Sequence, residues 1–217
     1  MNKDIRVFSL ADSLTKYQKT DSLFEVGTHR YYVGAANKTV FALVGISDST
    51  TALYQKENNA WISTDTLDFL VSNVSMSDLN GDDFKDVIMT YGVTGIGGNA
   101  ENISLIYYPT THNFKHNKHF DLPNISYDRQ SKLIHSAWFS GVVHPQDKMT
   151  YIPAGDSILF KEGVTYEPIE ATQGANATLE FYKMQGNRRL VVKKMRGDSE
   201  KIFNAFSKAL WDTSDSY

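Results

Sequence analysis

From about residue 22 onward the chain is a succession of short segments in which Val, Ile, Tyr and Phe alternate with polar residues, each closed by a polar turn. "SLFEVGTHRYYVGAANKTVFALVGI" (22–46) and "TTALYQKENNAWIST" (50–64) begin the series. It continues in "KDVIMTYGV", "NISLIYYP", "KLIHSAWFSG", "DKMTYIPAG", "SILFKEG" and "TLEFYKMQGNRRLVVKKM". A side-chain period of two belongs to a strand with one face on a core and the other toward water. Strands this short, joined by turns this short, predict an antiparallel meander of about a dozen strands. "QGN" at 185–187 has the form of a tight hairpin turn.

One segment breaks the period. "GDSEKIFNAFSKALW" offers Asp198 or Ser199 as an N-cap and then places Ile202, Phe203, Phe206 and Leu210 on one helical face. This predicts a helix over about 199–211 that docks on the sheets; a weaker helical pattern covers Leu10 to Tyr17. No Pro- or Ser-rich linker interrupts the chain, so residues 1–217 are expected to form a single domain. The fold class expected is all-β, propeller-like or with layered antiparallel sheets, closed by one C-terminal helix.

Whole-chain composition removes several functional classes. A 41% hydrophobic and 12% aromatic content fills a real core at 217 residues. With 22 basic and 25 acidic residues and no basic block that would gather phosphates, nucleic acid is not an expected partner. No run approaches the roughly 18 to 20 apolar residues a spanning helix needs. The absence of cysteine rules out disulfides, thiol nucleophiles and Cys-ligated metal. The start, "MNKDIRVFSLADSLTKYQ", lacks the apolar core of a signal peptide, so either the protein is cytosolic or its leader, such as that of a lipoprotein, is missing from this chain.

The densest chemistry is in "SDLNGDDFKDVIM" (77–89), where four carboxylates crowd together. Their repulsion calls for screening by water or neutralisation by a cation. Asp78, Asn80, Asp82 and Asp86 stand at positions 1, 3, 5 and 9 of a calcium loop, and Phe84 at position 7 offers its backbone carbonyl. The usual Gly at position 6 is Asp83, and Met89 replaces the bidentate Glu at position 12, which excludes an ordinary EF-hand. The loop instead runs into Val87-Ile88-Met89, so a strand–loop–strand calcium clip is expected, with an empty acidic turn as the alternative. Its role would be structural: Ca²⁺ neutralises the repulsion and pins the connection.

Weaker constellations are weighed against plain structural roles. His112, His116 and His119 have metal-ligand chemistry but sit in what reads as a polar turn. "GVTGIGGNAEN" (92–102) has the glycines of a phosphate cradle, yet a strand follows where a helix would be needed, so it reads as a loop between hairpins. A glycosidase pair of Asp128 with Glu162 or Glu167 is chemically admissible, but spacing alone assigns no acid or base. No G-x-S-x-G elbow accompanies the serines and histidines. Trp61, Trp138, Tyr107 and Tyr108 have the chemistry of a sugar-stacking platform and equally that of half-buried sheet residues. No residue is assigned a catalytic role.

"VSMSDLNGDDFKDVIMTYG" resembles the D-x-N-G-D-x-x-x-D element of FG-GAP and VCBS repeats, which build calcium-clipped β-propeller blades on integrins and exported bacterial proteins. The continuation "NISLIYYPTTHNFKHNKHFDLPNISYDRQSKLIHSAW" is similar to a narrower group of exported bacterial proteins, some of them immunity proteins that inhibit lysozyme-like, peptidoglycan-cleaving effectors. The likeness covers about residues 74 to 170, with the group's Asn-Pro element inverted here as Pro123-Asn124. The resemblance implies a periplasmic, outer-membrane-anchored or secreted protein that binds a lysozyme-like hydrolase without catalysis of its own. With the polar stretches "GIGGNAEN" and "SGVVHPQDK", it points to Ile96, Asn99, Val142, His144 and Gln146 as the contact face. The alternative from another class is a carbohydrate-active enzyme or a sugar-binding module.

Overall fold

The computed structural model describes residues 23–26, 29–95, 98–140, 144–169 and 176–212. Within them lie fifteen strands in three antiparallel sheets, and every strand in a sheet neighbours its sequence neighbour. The first sheet holds β1 (Leu23–Val26), β2 (His29–Ala36), β3 (Thr39–Ser47), β4 (Thr50–Glu57) and β5 (Ala60–Leu67). The second holds β6 (Asn73–Ser77), β7 (Asp86–Thr94), β8 (Asn99–Tyr108) and β9 (Asn113–His116). The third holds β10 (Ser126–Asp128), β11 (Leu133–Trp138), β12 (Gln146–Ala154), β13 (Ser157–Pro168), β14 (Asn176–Gln185) and β15 (Arg188–Asp198). The all-β, layered expectation holds. Two of the hairpins turn on Asn37-Lys38 (φ 53° and 68°) and Asn58-Asn59 (φ 48° and 65°), the left-handed pairs that match the twist of the flanking strands. The helical pattern at Leu10 to Tyr17 lies outside the described residues.

By its contacts the chain groups into two compact units, which divide the long β7–β8 hairpin between them. The first takes residues up to Asp78, then Asp82–Tyr91 and Ile103–Lys118. Its core is a sandwich: Tyr32, Phe41, Leu43 and Leu53 of the first sheet meet Val87, Met89, Leu105, Tyr107 and Phe114 of the second. Phe114 is its hub, with ring centroids 5.0 Å from Phe41 and 5.2 Å from Tyr107. Gln55, buried on β4, uses its side-chain amide as a stand-in strand: Nε2 donates to the Phe114 carbonyl at 2.9 Å and Oε1 accepts the Phe114 N–H at 3.0 Å. Backbone groups at the rim of an apolar core are thereby satisfied, as burial requires.

The second unit takes residues 79–81, 92–102 and His119 onward, and is built on the six-stranded sheet. Helix α1 (Ser199–Lys208) lies on one face of that sheet, where Ile202 and Phe206 cover Val164, Tyr166, Ala177 and Leu179. Asp198 is the N-cap, its Oδ1 accepting the Lys201 N–H at 3.2 Å. Of the expected helical face, Ile202 and Phe206 are buried and Phe203 and Leu210 are partly so. The helix stops three residues short of the expected end, because Ala209 turns extended and Leu210 takes φ 61°. Residues 185–187 form the expected hairpin turn between β14 and β15.

Candidate functional site

The acidic loop joins β6 to β7, strand to strand, closing on the ladder pair Ser77–Asp86. Gly81 at φ 78° and Asp83 at φ 68° supply its left-handed bends; Asp enters that region more readily than most residues. Asp78 Oδ2 accepts the Asp83 N–H at 3.1 Å, and Asp82 Oδ1 accepts the Phe84 N–H at 2.9 Å. Asp86 Oδ1 accepts the Tyr107 N–H at 2.9 Å, fastening the loop's exit to β8. Asn37 grips the same segment, bonding both the N–H and the carbonyl of Lys85 at 3.0 and 2.8 Å. Asp78 and Asp86 are buried, Asn80 is half-buried, and Asp82 and Phe84 are exposed.

The donor set is that of a hard cation: carboxylate, amide and carbonyl oxygens, with two of the carboxylates already withdrawn from water. Among the described residues no three His, Cys, Asp or Glu side chains form a group that could hold a metal. The loop's carboxylates serve backbone N–H groups, an arrangement that orders the turn by itself.

The expected contact face divides. Ile96 and Val142 lie outside the described residues, and His144 is exposed. Asn99 and Gln146 are fully buried, which corrects the expectation that they are presented to a partner. The reason for Asn99 is a backbone obligation. Its Nδ2 donates to the carbonyls of Phe139 (2.6 Å) and Thr94 (3.2 Å), while its Oδ1 accepts from the Phe139 N–H (2.6 Å) and from Asn124 Nδ2 (3.0 Å). Asn124, at φ 47°, extends the clamp to the Ala137 carbonyl and the Ala100 N–H, both at 3.0 Å. The inverted Pro123-Asn124 element is therefore structural: Pro123 also accepts from Ser136 Oγ at 2.9 Å. The glycine stretch 92–102 is mostly strand, with Gly95 and Gly98 at positive φ where β7 passes to β8.

Other candidates separate. His112 is committed to Tyr107, Nδ1 to Oη, at 3.1 Å. Asp128 cannot pair with Glu162: Ser126, His135, Thr150 and Glu162 share one row across four strands. Three strand spacings are about 14 Å, beyond the roughly 5 to 9.5 Å of glycosidase carboxyl pairs. Glu167 lies further along β13. Tyr107 belongs to the sandwich core and offers no stacking face, while Tyr108 sits beneath Lys115 at 5.6 Å.

Lys148 is a residue that pattern reasoning misses. Alternation in "DKMTY" points Met149 and Tyr151 inward, but the fully buried residues of β12 are Gln146, Lys148 and Thr150. The Lys148 ammonium donates to the carbonyls of Phe206 (3.1 Å), Ser207 (2.7 Å), Ala209 (3.2 Å) and Trp211 (2.7 Å). Phe206 and Ser207 lie in the last turn of α1 and Ala209 and Trp211 just past it; the Phe206 and Ala209 carbonyls also accept the N–H groups of Ala209 (3.0 Å) and Trp211 (2.7 Å), so the ammonium sits at the negative end of the helix dipole. Phe206 and Trp211 also offer ring faces at 5.2 and 4.9 Å, and His135 stacks on Trp211 at 4.3 Å. Burial pushes Lys148 down to about 8, against a smaller upward pull from Asp212. Burial likewise lowers His135, opposed by Asp128 and reinforced by Lys148.

No family model and no curated protein matches the chain. Among solved structures, the fold is similar to that of a Xanthomonas type IV secretion system related protein. The two chains are 12% identical, the likeness covers 80% of this chain and 98% of that one, and the TM-score is 0.54. At that identity what is shared is the fold.

Proposed function

We propose that the protein is an exported, calcium-stabilised binding protein that inhibits a peptidoglycan-cleaving hydrolase, with no catalysis of its own. The observation that carries the reading is the strand–loop–strand hairpin whose 1-3-5-7-9 oxygens follow the FG-GAP and VCBS pattern, two of its carboxylates buried. The secretion-system relation of the similar fold supports an exported setting. Asp78, Asn80, Asp82, the Phe84 carbonyl and Asp86 would hold the cation, which supplies charge neutralisation only. Each carboxylate meets its backbone N–H through one oxygen, and a carboxylate has about four lone-pair sites on two oxygens, so these hydrogen bonds are compatible with ligation of a cation. His144, exposed at the entrance to β12, is the contact residue that this reading retains.

The test is a peptidoglycan-hydrolysis assay with hen lysozyme and, separately, wall hydrolases purified from Gram-negative bacteria, each titrated with the full chain in millimolar calcium. Dose-dependent loss of hydrolysis is expected, weakened several-fold by His144→Glu with no change in melting temperature. Hydrolysis untouched by a large molar excess over every enzyme tried would remove the inhibitor reading. Release of soluble fragments by the chain alone would replace it with a carbohydrate-active enzyme.

A further inference from the structure

β15 ends the six-stranded sheet, and among the described residues only β14 pairs with it. Its eleven residues run along an open edge, a row of backbone donors and acceptors of the kind that recruits further strands. Three consecutive apolar residues stand in water on it: Leu190 is 52% exposed, Val191 42% and Val192 54%. Val192 is the extra residue of a β-bulge, between Val191 opposite Tyr182 and Lys193 opposite Phe181, so the triplet is exposed where the edge strand bends.

Charge decides what such an edge accepts. Five of the nine residues 188–196 are basic, and no acidic residue interrupts them. Glu180 already holds Arg189 (3.3 Å) and Lys194 (2.7 Å), while Arg188, Lys193 and Arg196 have no described carboxylate partner. A second copy of the chain is a poor occupant. Antiparallel pairing of β15 with itself about Val192 sets Arg188 against Arg196, and about Val191 sets Arg188 against Lys194; only the register about Lys193, which sets that lysine against itself, brings Arg188 to Asp198. Like charges directly opposed destabilise a sheet. Nucleic acid would meet the positive charge but leave the apolar triplet and the strand edge unused.

We propose that β15 takes an extended acidic segment of a partner protein as a seventh strand of the sheet. Main-chain hydrogen bonds to the edge would supply affinity, with Arg188, Lys193 and Arg196 selecting for carboxylates. This surface is independent of the hydrolase reading, and either can fail without the other.

The experiment uses the full chain and three labelled decapeptides, alternating Val-Glu, Val-Lys and Gly-Glu, followed by fluorescence anisotropy and amide hydrogen exchange. Val-Glu is expected to bind, to weaken at least tenfold between 50 and 300 mM salt, and to slow exchange within residues 188–196. Val-Lys and Gly-Glu should bind at least tenfold more weakly. The double variant Arg188→Glu/Lys193→Glu should lose Val-Glu binding and gain Val-Lys binding, with an unchanged circular dichroism spectrum; this reversal keeps the test decisive if Val192→Pro, which blocks the edge, disturbs the hairpin. No Val-Glu binding, equal binding of Gly-Glu without protection of β15, preference for a single-stranded oligonucleotide, or concentration-dependent dimerisation of the free chain would each overturn the proposal.

Discussion

Asn99 carries four hydrogen bonds from one side chain and leaves none of its amide to solvent. Replacing it by Ala would take away the side-chain partner of the half-buried Phe139 N–H and carbonyl, at up to about 1–3 kcal/mol for each group left unsatisfied. Asn99→Ala should therefore lower the urea midpoint clearly while leaving hydrolase inhibition per folded molecule unchanged; reduced inhibition at full stability would return Asn99 to the contact face. Its sequence context, a glycine-rich polar stretch, reads as surface loop. The amide's role depends on Phe139, forty residues away, and no local signal carries that. Asp198 is the opposite case, since an N-cap needs only the N–H groups of the next turn and was legible from its neighbours.

At the scale of the element, α1 is held at both ends by different means, a local cap at the start and Lys148 at the finish. Lys148→Met keeps much of the side chain's bulk but takes the ammonium away from four carbonyls, two of which keep a backbone N–H, and should free the residues after Lys208, detectable as faster amide exchange at 206–211. The pH dependence has a definite sign. Folded Lys148 titrates at about 8 and unfolded lysine at 10.5. Between those values the unfolded chain binds the additional proton, so stability gains from this group as pH rises, by up to about 1.4 kcal/mol per pH unit. Below about 8 both states are protonated and the slope vanishes. Denaturation from pH 7 to 10 should show wild type gaining on Lys148→Met above pH 8; a constant difference would mean the ammonium is not perturbed. The window closes at pH 10, beyond which Tyr182, pushed up to about 12 by burial, acts in the opposite direction.

For the whole molecule, a ligand that binds only the folded state stabilises by mass action. Calcium at a hundred times its dissociation constant would add about 2.7 kcal/mol, which at roughly 2–4 °C per kcal/mol for a chain of this size is about 5–10 °C in melting temperature. Asp78→Ala should abolish that difference, and identical melts in EDTA and millimolar calcium would leave the loop as a self-supporting turn. Residues 77–89 announced a strand–loop–strand connection because an acidic turn running into an apolar strand is a local property, and the meander was legible because period-two alternation and turn residues act over a few positions. The sequence by itself thus determined the strands, the hairpin at 185–187, the capped helix and the acidic connection. Only the tertiary structure decided that Gln146, Lys148 and Thr150 face inward on β12, that Asn99 is a bolt and not a contact, that contacts gather into two units with no linker between them, and that β15 is left as an open edge. Each depends on partners distant in sequence: a helix end that needs a donor, a backbone that needs an amide, a sheet that ends where no described strand follows.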